Sequence, residues 1–205
     1  MWMKGIFSYD GPIYKGCEVI YETFMLNILW IIGCIPIVTI GASTSALYSV
    51  YNSKVSGDGY KIYSDFFNAY KKNFKKGSIL GIVITILLCV GIFNMSRIGN
   101  FNGNFEWLQY FHIFIIFQVI LVSNYIFPLI NREEMNISDI VVNAVILVYK
   151  NIFISITNVV ALCLIIGLVI FKPVMILFFM GIYGLVSSYL MKGVLESVNE
   201  ELLKE

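Results

Sequence analysis

The chain has 205 residues, of which 59% are hydrophobic and only 13% charged, with a formal net charge of +1. Soluble domains carry about 25% charged residues, so half that supply cannot coat a water-facing surface and the composition calls for lipid as solvent. The near-neutral balance gives nucleic acid no bulk attraction, and the absence of a linker-like stretch implies one integral membrane domain over 1–205.

Tyr9, Asp10, Pro12, Lys15 and Glu18 interrupt the first twenty residues, which therefore lack the apolar core of a signal peptide. The first apolar run is expected to stay in the mature chain. A spanning helix needs about 20 mainly apolar residues, and the first such stretch covers 23–40. Glu22 sits at its outer end, within reach of the interface and of a partner such as Lys15 or Lys172. Asn27 lies deeper, where an amide serves either as glue between helices or as a contact for a polar solute. Pro36 removes a backbone donor and disfavours helix at Ile35, so the span is expected to kink or stop there. Gly41 permits backbone conformations other residues avoid. Ser43, Thr44 and Ser45 supply hydroxyls for the carbonyls a break leaves free. Two readings of 36–48 stand open: a break at membrane depth lining a solute path, and an interfacial turn feeding a surface helix. The run 41–51 is itself fairly apolar; if it returns through the membrane, the span count rises and the N-terminus lies inside.

Tyr63, Phe66, Phe67, Tyr70 and Phe74 recur at the spacing of one helix face, with Ser64 or Asp65 as cap. Lys71, Lys72, Lys75 and Lys76 load the end of this amphipathic piece, a cluster suited to anionic lipid headgroups. The second span covers 78–98 and the third 107–130, with the lone His112 near aromatic residues at its outer end. Ser138-Asp139 opens a second amphipathic helix through Val148. A fourth span covers 152–171, and after Lys172 a fifth runs over 173–190 with Gly181, Gly184 and Ser188 on one side, small enough for close helix approach. Gln118, Asn124 and Asn158 read as packing amides. Tyr70-Lys71-Lys72-Asn73-Phe74 and Tyr149-Lys150-Asn151-Ile152-Phe153 hint at an internal repeat.

The expected architecture is thus an all-α polytopic bundle of five spans, six in the alternative, with two cytoplasmic amphipathic helices. Placing the lysine-rich 54–76 segment in the cytoplasm puts ten basic residues inside and four outside, which predicts the N-terminus outside and the C-terminus inside.

The stretch Leu26-Asn27-Ile28-Leu29-Trp30, then Pro36-Ile37-Val38-Thr39-Ile40-Gly41, Thr44-Ser45-Ala46-Leu47-Tyr48, and Tyr70 through Lys75 resembles the YesL-like family of bacterial membrane proteins, a domain of unknown function. The resemblance covers 11 to about 98 closely and the rest in span pattern only. It implies a bacterial plasma membrane and encoding beside carbohydrate uptake systems of the ABC type, and it carries over no activity. Candidate solute or packing positions are Glu22, Asn27, Trp30, Pro36, Thr39, Gly41 and Thr44. The expected partners are the lipid bilayer and a sugar transporter or a second copy of the chain.

Cys17, Cys34, Cys89 and Cys163 are too scattered for a disulfide framework or a zinc site. The sequence lacks a G-x-x-x-x-G-K-[ST] phosphate loop, a G-x-S-x-G elbow and an H-E-x-x-H helix. No acids cluster within the spans, which disfavours a proton-coupled pump. No catalytic, cofactor or metal position is expected, and the chain reads as a non-enzyme.

Overall fold

The computed structural model describes residues 11–98, 106–132 and 135–202. Lys4 and Lys204, counted in the charge asymmetry, lie outside the described residues. The described residues form helices, 3₁₀ turns and connections without strands.

Helix α1 (Pro12–Gly33) starts with Pro12 in the first turn, where its missing N–H costs nothing. It ends three residues before Pro36, as the proline predicts, and a 3₁₀ turn (Ile37–Thr39) leads into α2 (Ile40–Ser56). The first span is therefore displaced toward the N-terminus relative to 23–40. Gly57, at φ 86°, closes α2 in the left-handed conformation that glycine adopts without steric cost.

Helix α3 (Ile62–Ile98) is continuous over 37 residues, about 55 Å of helix. The amphipathic piece and the second span are thus one rod, because nothing between Phe74 and Ser78 breaks the helix. Neither Ser64 nor Asp65 occupies the cap position; Asp65 instead accepts a 2.7 Å hydrogen bond from the Lys61 backbone N–H. The aromatic face divides. Phe66 is buried and Tyr70 stacks on it at 6.3 Å, while Tyr63, Phe67 and Phe74 are exposed.

Helix α4 (Glu106–Leu129) matches the third span closely. Helix α5 (Ile137–Lys150) begins one residue before Ser138, with Asn136 as cap and Asp139 accepting from the Asn136 N–H at 3.2 Å. The chain turns at Asn151 into α6 (Ile152–Phe171), the expected fourth span. Lys172 then ends the helix and Pro173 starts a 3₁₀ turn (Pro173–Leu177), which turns the chain tightly between the fourth span and the next helix. Helix α7 (Phe179–Leu202) follows.

Two buried clusters hold these helices. Leu26, Leu47, Val50, Tyr51 and Phe66 join α1, α2 and α3; Leu121, Leu129, Ile140, Leu147 and Met191 join α4, α5 and α7. Large apolar side chains cover much of the outside, Ile86, Val90, Phe114, Leu164 and Phe171 among them, which is the surface that lipid solvates. Among the described residues, four helices are long and apolar enough to cross a membrane: Pro12–Gly33, Ile62–Met95, Tyr110–Leu129 and Ile152–Phe171. The stretch 173–190 does not join them, because its first residues form the 3₁₀ turn and α7 turns Tyr183, Ser187 and Ser188 into the protein.

Candidate functional site

The polar residues singled out near the first span gather where α1, α2, α3 and the start of α7 meet. Trp30 Nε1 donates to Thr44 Oγ1 at 3.0 Å, and Ser43 Oγ donates to the Trp30 carbonyl at 2.9 Å. Ten residues further along α2, Lys54 pairs with Glu22. Rising numbers on α2 thus meet falling numbers on α1, and the two helices form an antiparallel hairpin. Helix α3 returns alongside α1, with Tyr63 at Met25 and Tyr70 at Gly33.

This hairpin decides between the readings of the Pro36 break. Ala42, Ser43, Ser45, Ala46, Leu47, Tyr48 and Tyr51 are all buried, so α2 is an interior helix rather than a surface one. The break itself leaves little unpaired. Thr39 Oγ1 lies 2.7 Å from both the Gly33 and the Pro36 carbonyls, and Thr44 Oγ1 donates to the Ile40 carbonyl at 2.8 Å. These hydroxyls do what unwound backbone in an apolar setting requires. Ile35 and Ile37, at 76% and 73% exposed, form the tip.

Gly41 has ordinary helical geometry; Gly57 is the one glycine with positive φ among the described residues. Its role is proximity. A Cβ added at Gly81 would lie 2.8 Å from Gly41 Cα, and one at Gly77 would lie 2.7 Å from Ala42 Cα. Helices α2 and α3 therefore touch backbone to backbone, the contact that small residues permit. Gly181 and Gly184 act likewise, facing Thr23 of α1 and Leu47 of α2.

Asn27 is buried and acts as glue. Its Oδ1 accepts from Met180 N at 2.9 Å and Gly181 N at 3.2 Å, and its Nδ2 donates to the Ile176 carbonyl at 3.3 Å. The first N–H groups of α7 have no partner in their own helix, and Asn27 supplies one from α1. Asn124 pairs with Tyr183, Asn158 donates to Ser187 at 2.9 Å, and Tyr149 donates to Gln118 at 3.0 Å. All four amides hold helices together.

Glu22 is 6% exposed and receives Lys54 Nζ and the Tyr60 hydroxyl. Neither Lys15 nor Lys172, both exposed, is its partner. Burial, with the Glu22 carboxylate beside it, raises the Tyr60 phenol above its ordinary value. The pair joins residues 32 apart in sequence, a separation that no local pattern reveals. It also places Lys54 at the same end of the hairpin as Glu22. Lys71, Lys72, Lys75 and Lys76 lie further along α3, and Lys72 lines a shallow cleft together with Ser53 of α2. Lys71, Lys72 and Lys75 are exposed, and Lys76 Nζ donates to the Met135 carbonyl at 2.8 Å.

No group of three or more His, Cys, Asp or Glu is placed to hold a metal among the described residues. Residues 23–95 match the family model described as a protein of unknown function, DUF624. This segment takes in the second half of α1, all of α2 and most of α3, and the resemblance to YesL-like proteins is consistent with the match. No curated protein and no solved structure matches the chain.

Proposed function

We propose that this is a multi-pass protein of the bacterial plasma membrane that assists carbohydrate uptake as an accessory or regulatory partner of an ABC-type transporter. One observation carries the choice of accessory over permease: Asn27, Trp30, Thr39 and Thr44 spend their hydrogen bonds inside the protein. A solute path at the Pro36–Gly41 break would need such groups to face a cavity. The uptake role rests on the family resemblance, and the exposed basic turn of Lys71, Lys72 and Lys75 supplies a contact for anionic lipid at the cytoplasmic face. Purification of the tagged protein in mild detergent should bring down subunits of a sugar transporter; a preparation without any overturns the accessory role.

In the same reading α1 and α2 form one returning hairpin, so Cys17 and residue 56 share a membrane face, and the count of crossings is even. Residue 56 and the end of α7 meet at one cleft, so in this reading Cys17, residue 56 and the end of α7 all lie on the cytoplasmic side, as in the six-span alternative. Cys17 is exposed, which allows a test without new mutations at that end. An impermeant maleimide should label Cys17 and Ser56→Cys from the same side of intact vesicles and leave Ser43→Cys unlabelled from both. Labelling of Cys17 and position 56 from opposite sides restores a single pass through α1.

A further inference from the structure

A cleft of about 200 Å³ opens between α2, the segment after α4, and α7. Ser49, Asn52, Ser53 and Ser56 reach it from one face of α2, Arg132 from beyond α4, and Ser188 from α7. Nothing in the hairpin chemistry described above uses it.

The walls are chemically incomplete in a consistent way. Ser188 is 2% exposed, yet its Oγ has no hydrogen-bond partner, and Asn52 Oδ1 is likewise buried and unpaired. Each such atom costs about 1–3 kcal/mol, and buried polar atoms are ordinarily satisfied. Both residues line this one cleft. Arg132 lines the same cleft, half-buried. Its Nη2 donates to the Leu195 carbonyl at 2.9 Å, and it forms no ion pair among the described residues. A guanidinium has five N–H donors, so most of its capacity faces the cleft or solvent. Burial lowers its pKa.

These groups dictate the complement. Asn52 Oδ1 only accepts, so the ligand must donate to it. Arg132 only donates, so the ligand must bring acceptors, and an anion suits it best. An ammonium donor would meet Arg132 and Lys192 in the same lining and carry a desolvation cost; a hydroxyl meets Asn52 Oδ1 without either. The exposed acids in the lining, Asp58 and Glu196, oppose a second negative charge. The volume equals about seven liquid waters and falls below the range of about 300–1,000 Å³ for drug-sized ligands.

We propose that the cleft between α2, Arg132 and α7 binds a small hydroxylated monoanion, its acidic group on Arg132 and its hydroxyls on Asn52 and Ser188. The same chemistry occurs in a free hydroxy acid and in a glycerol phosphodiester headgroup of the surrounding lipid. The site belongs to this chain alone and does not depend on a transporter partner.

Thermal unfolding of the full-length protein in neutral detergent, with four three-carbon probes, tests this. Glycerate should raise the melting temperature in a saturable way, while glycerol, propionate and alanine should raise it far less. In a parallel arm, nanodiscs of phosphatidylglycerol should stabilise the protein relative to phosphatidylcholine if the headgroup is the ligand. A response to glycerate, to phosphatidylglycerol or to both that Ser188→Ala weakens supports the proposal and names the source; lipid stabilisation left intact in that variant belongs to the lysine cluster of α3 and counts against the site. Arg132→Gln should abolish the response. Ser188→Ala should weaken apparent affinity about tenfold without lowering the melting temperature of the unliganded protein, because it removes an unpaired hydroxyl. That variant decides the matter if Arg132→Gln does not fold. No stabilisation in either arm, an equal response to glycerol, propionate or alanine, or a response unchanged in Ser188→Ala would overturn the site.

Discussion

Two parts of the chain carry almost the same short sequence and fold it differently. Tyr70-Lys71-Lys72-Asn73-Phe74 stays inside the uninterrupted rod of α3, whereas Tyr149-Lys150-Asn151-Ile152-Phe153 contains the turn that separates α5 from α6. In the first, Asn73 remains helical and its Nδ2 donates to Asn131 Oδ1 at 2.6 Å. In the second, Asn151 leaves the helical region at φ −124° and ψ 49°. The difference four residues on is instructive. Gly77 follows Asn73 and lies against the backbone of Ala42, while Ser155 follows Asn151 and is fully buried. Ser155 Oγ lies 3.1 Å from the Val148 carbonyl, 3.0 Å from the Asn151 carbonyl and 2.9 Å from the Tyr125 hydroxyl. Local sequence permits both outcomes, and the neighbouring helix selects one.

The contrast extends to how the two regions are held. The α1–α2–α3 hairpin closes through backbone contact and a buried ion pair, and the α4–α5–α6 region closes through side chains and hydroxyl bonds. The largest expected effect follows from the ion pair. Lys54→Ala leaves Glu22 buried without its cation and should cost about 3–5 kcal/mol, read as a fall in melting temperature in detergent. The double change Glu22→Gln with Lys54→Met removes both charges and should recover most of the loss. The exposed pair Lys192–Glu196, at 3.9 Å, provides the comparison: Lys192→Ala should stay within about 0.5 kcal/mol. Equal effects at Lys54 and Lys192 would show that the hairpin does not seal Glu22 from solvent.

Next in size is the glycine contact. Gly77→Leu drives a side chain into Ala42 and should cost about 3 kcal/mol. Gly167 of α6 has nothing within 4 Å of an added Cβ, so Gly167→Ala should be neutral or gain up to about 1 kcal/mol of helix propensity. The same two measurements would refute close approach if Gly77→Leu proved as mild as Gly167→Ala.

Much of the architecture was legible because lipid-facing helices must be apolar along their length. The spans at 107–130 and 152–171, the stop before Pro36 and the tight turn at Lys172-Pro173 follow from runs of apolar residues and from proline chemistry alone. Interior helices escape this logic. Helix α2 is wrapped by protein, so its Ser43, Thr44 and Ser45 could replace the long apolar stripe by which a membrane helix is recognised. Continuity of α3 was missed for a related reason: a change from basic to apolar composition at Ser78 marks a change of solvent, and the backbone need not break there. The site residues were found by type, and their roles depended on contacts at long separation. Asn27 caps a helix 153 residues away, and the cleft beside Arg132 draws on three segments with no shared motif.

The smallest expected effect tests the opening contrast most directly. If the α5–α6 turn is selected by its surroundings, the Asn151 side chain contributes little to it. Its side-chain hydrogen bond, Nδ2 to the Leu147 carbonyl at 3.3 Å, is long, and the Asn151 backbone N–H already reaches that same carbonyl at 3.0 Å. Asn151→Ala should therefore cost only about 0.5 kcal/mol. Asn73→Ala removes the partner of a half-buried amide and should cost about 1–2 kcal/mol. Ser155→Ala tests the other side of the argument, since it strips the turn of the hydroxyl that gathers two carbonyls and leaves Tyr125 without its partner; it should exceed Asn151→Ala clearly. An Asn151→Ala penalty larger than that of Ser155→Ala would place the instruction for the turn in the asparagine, and the two related sequences would then differ by local preference rather than by the helices packed against them.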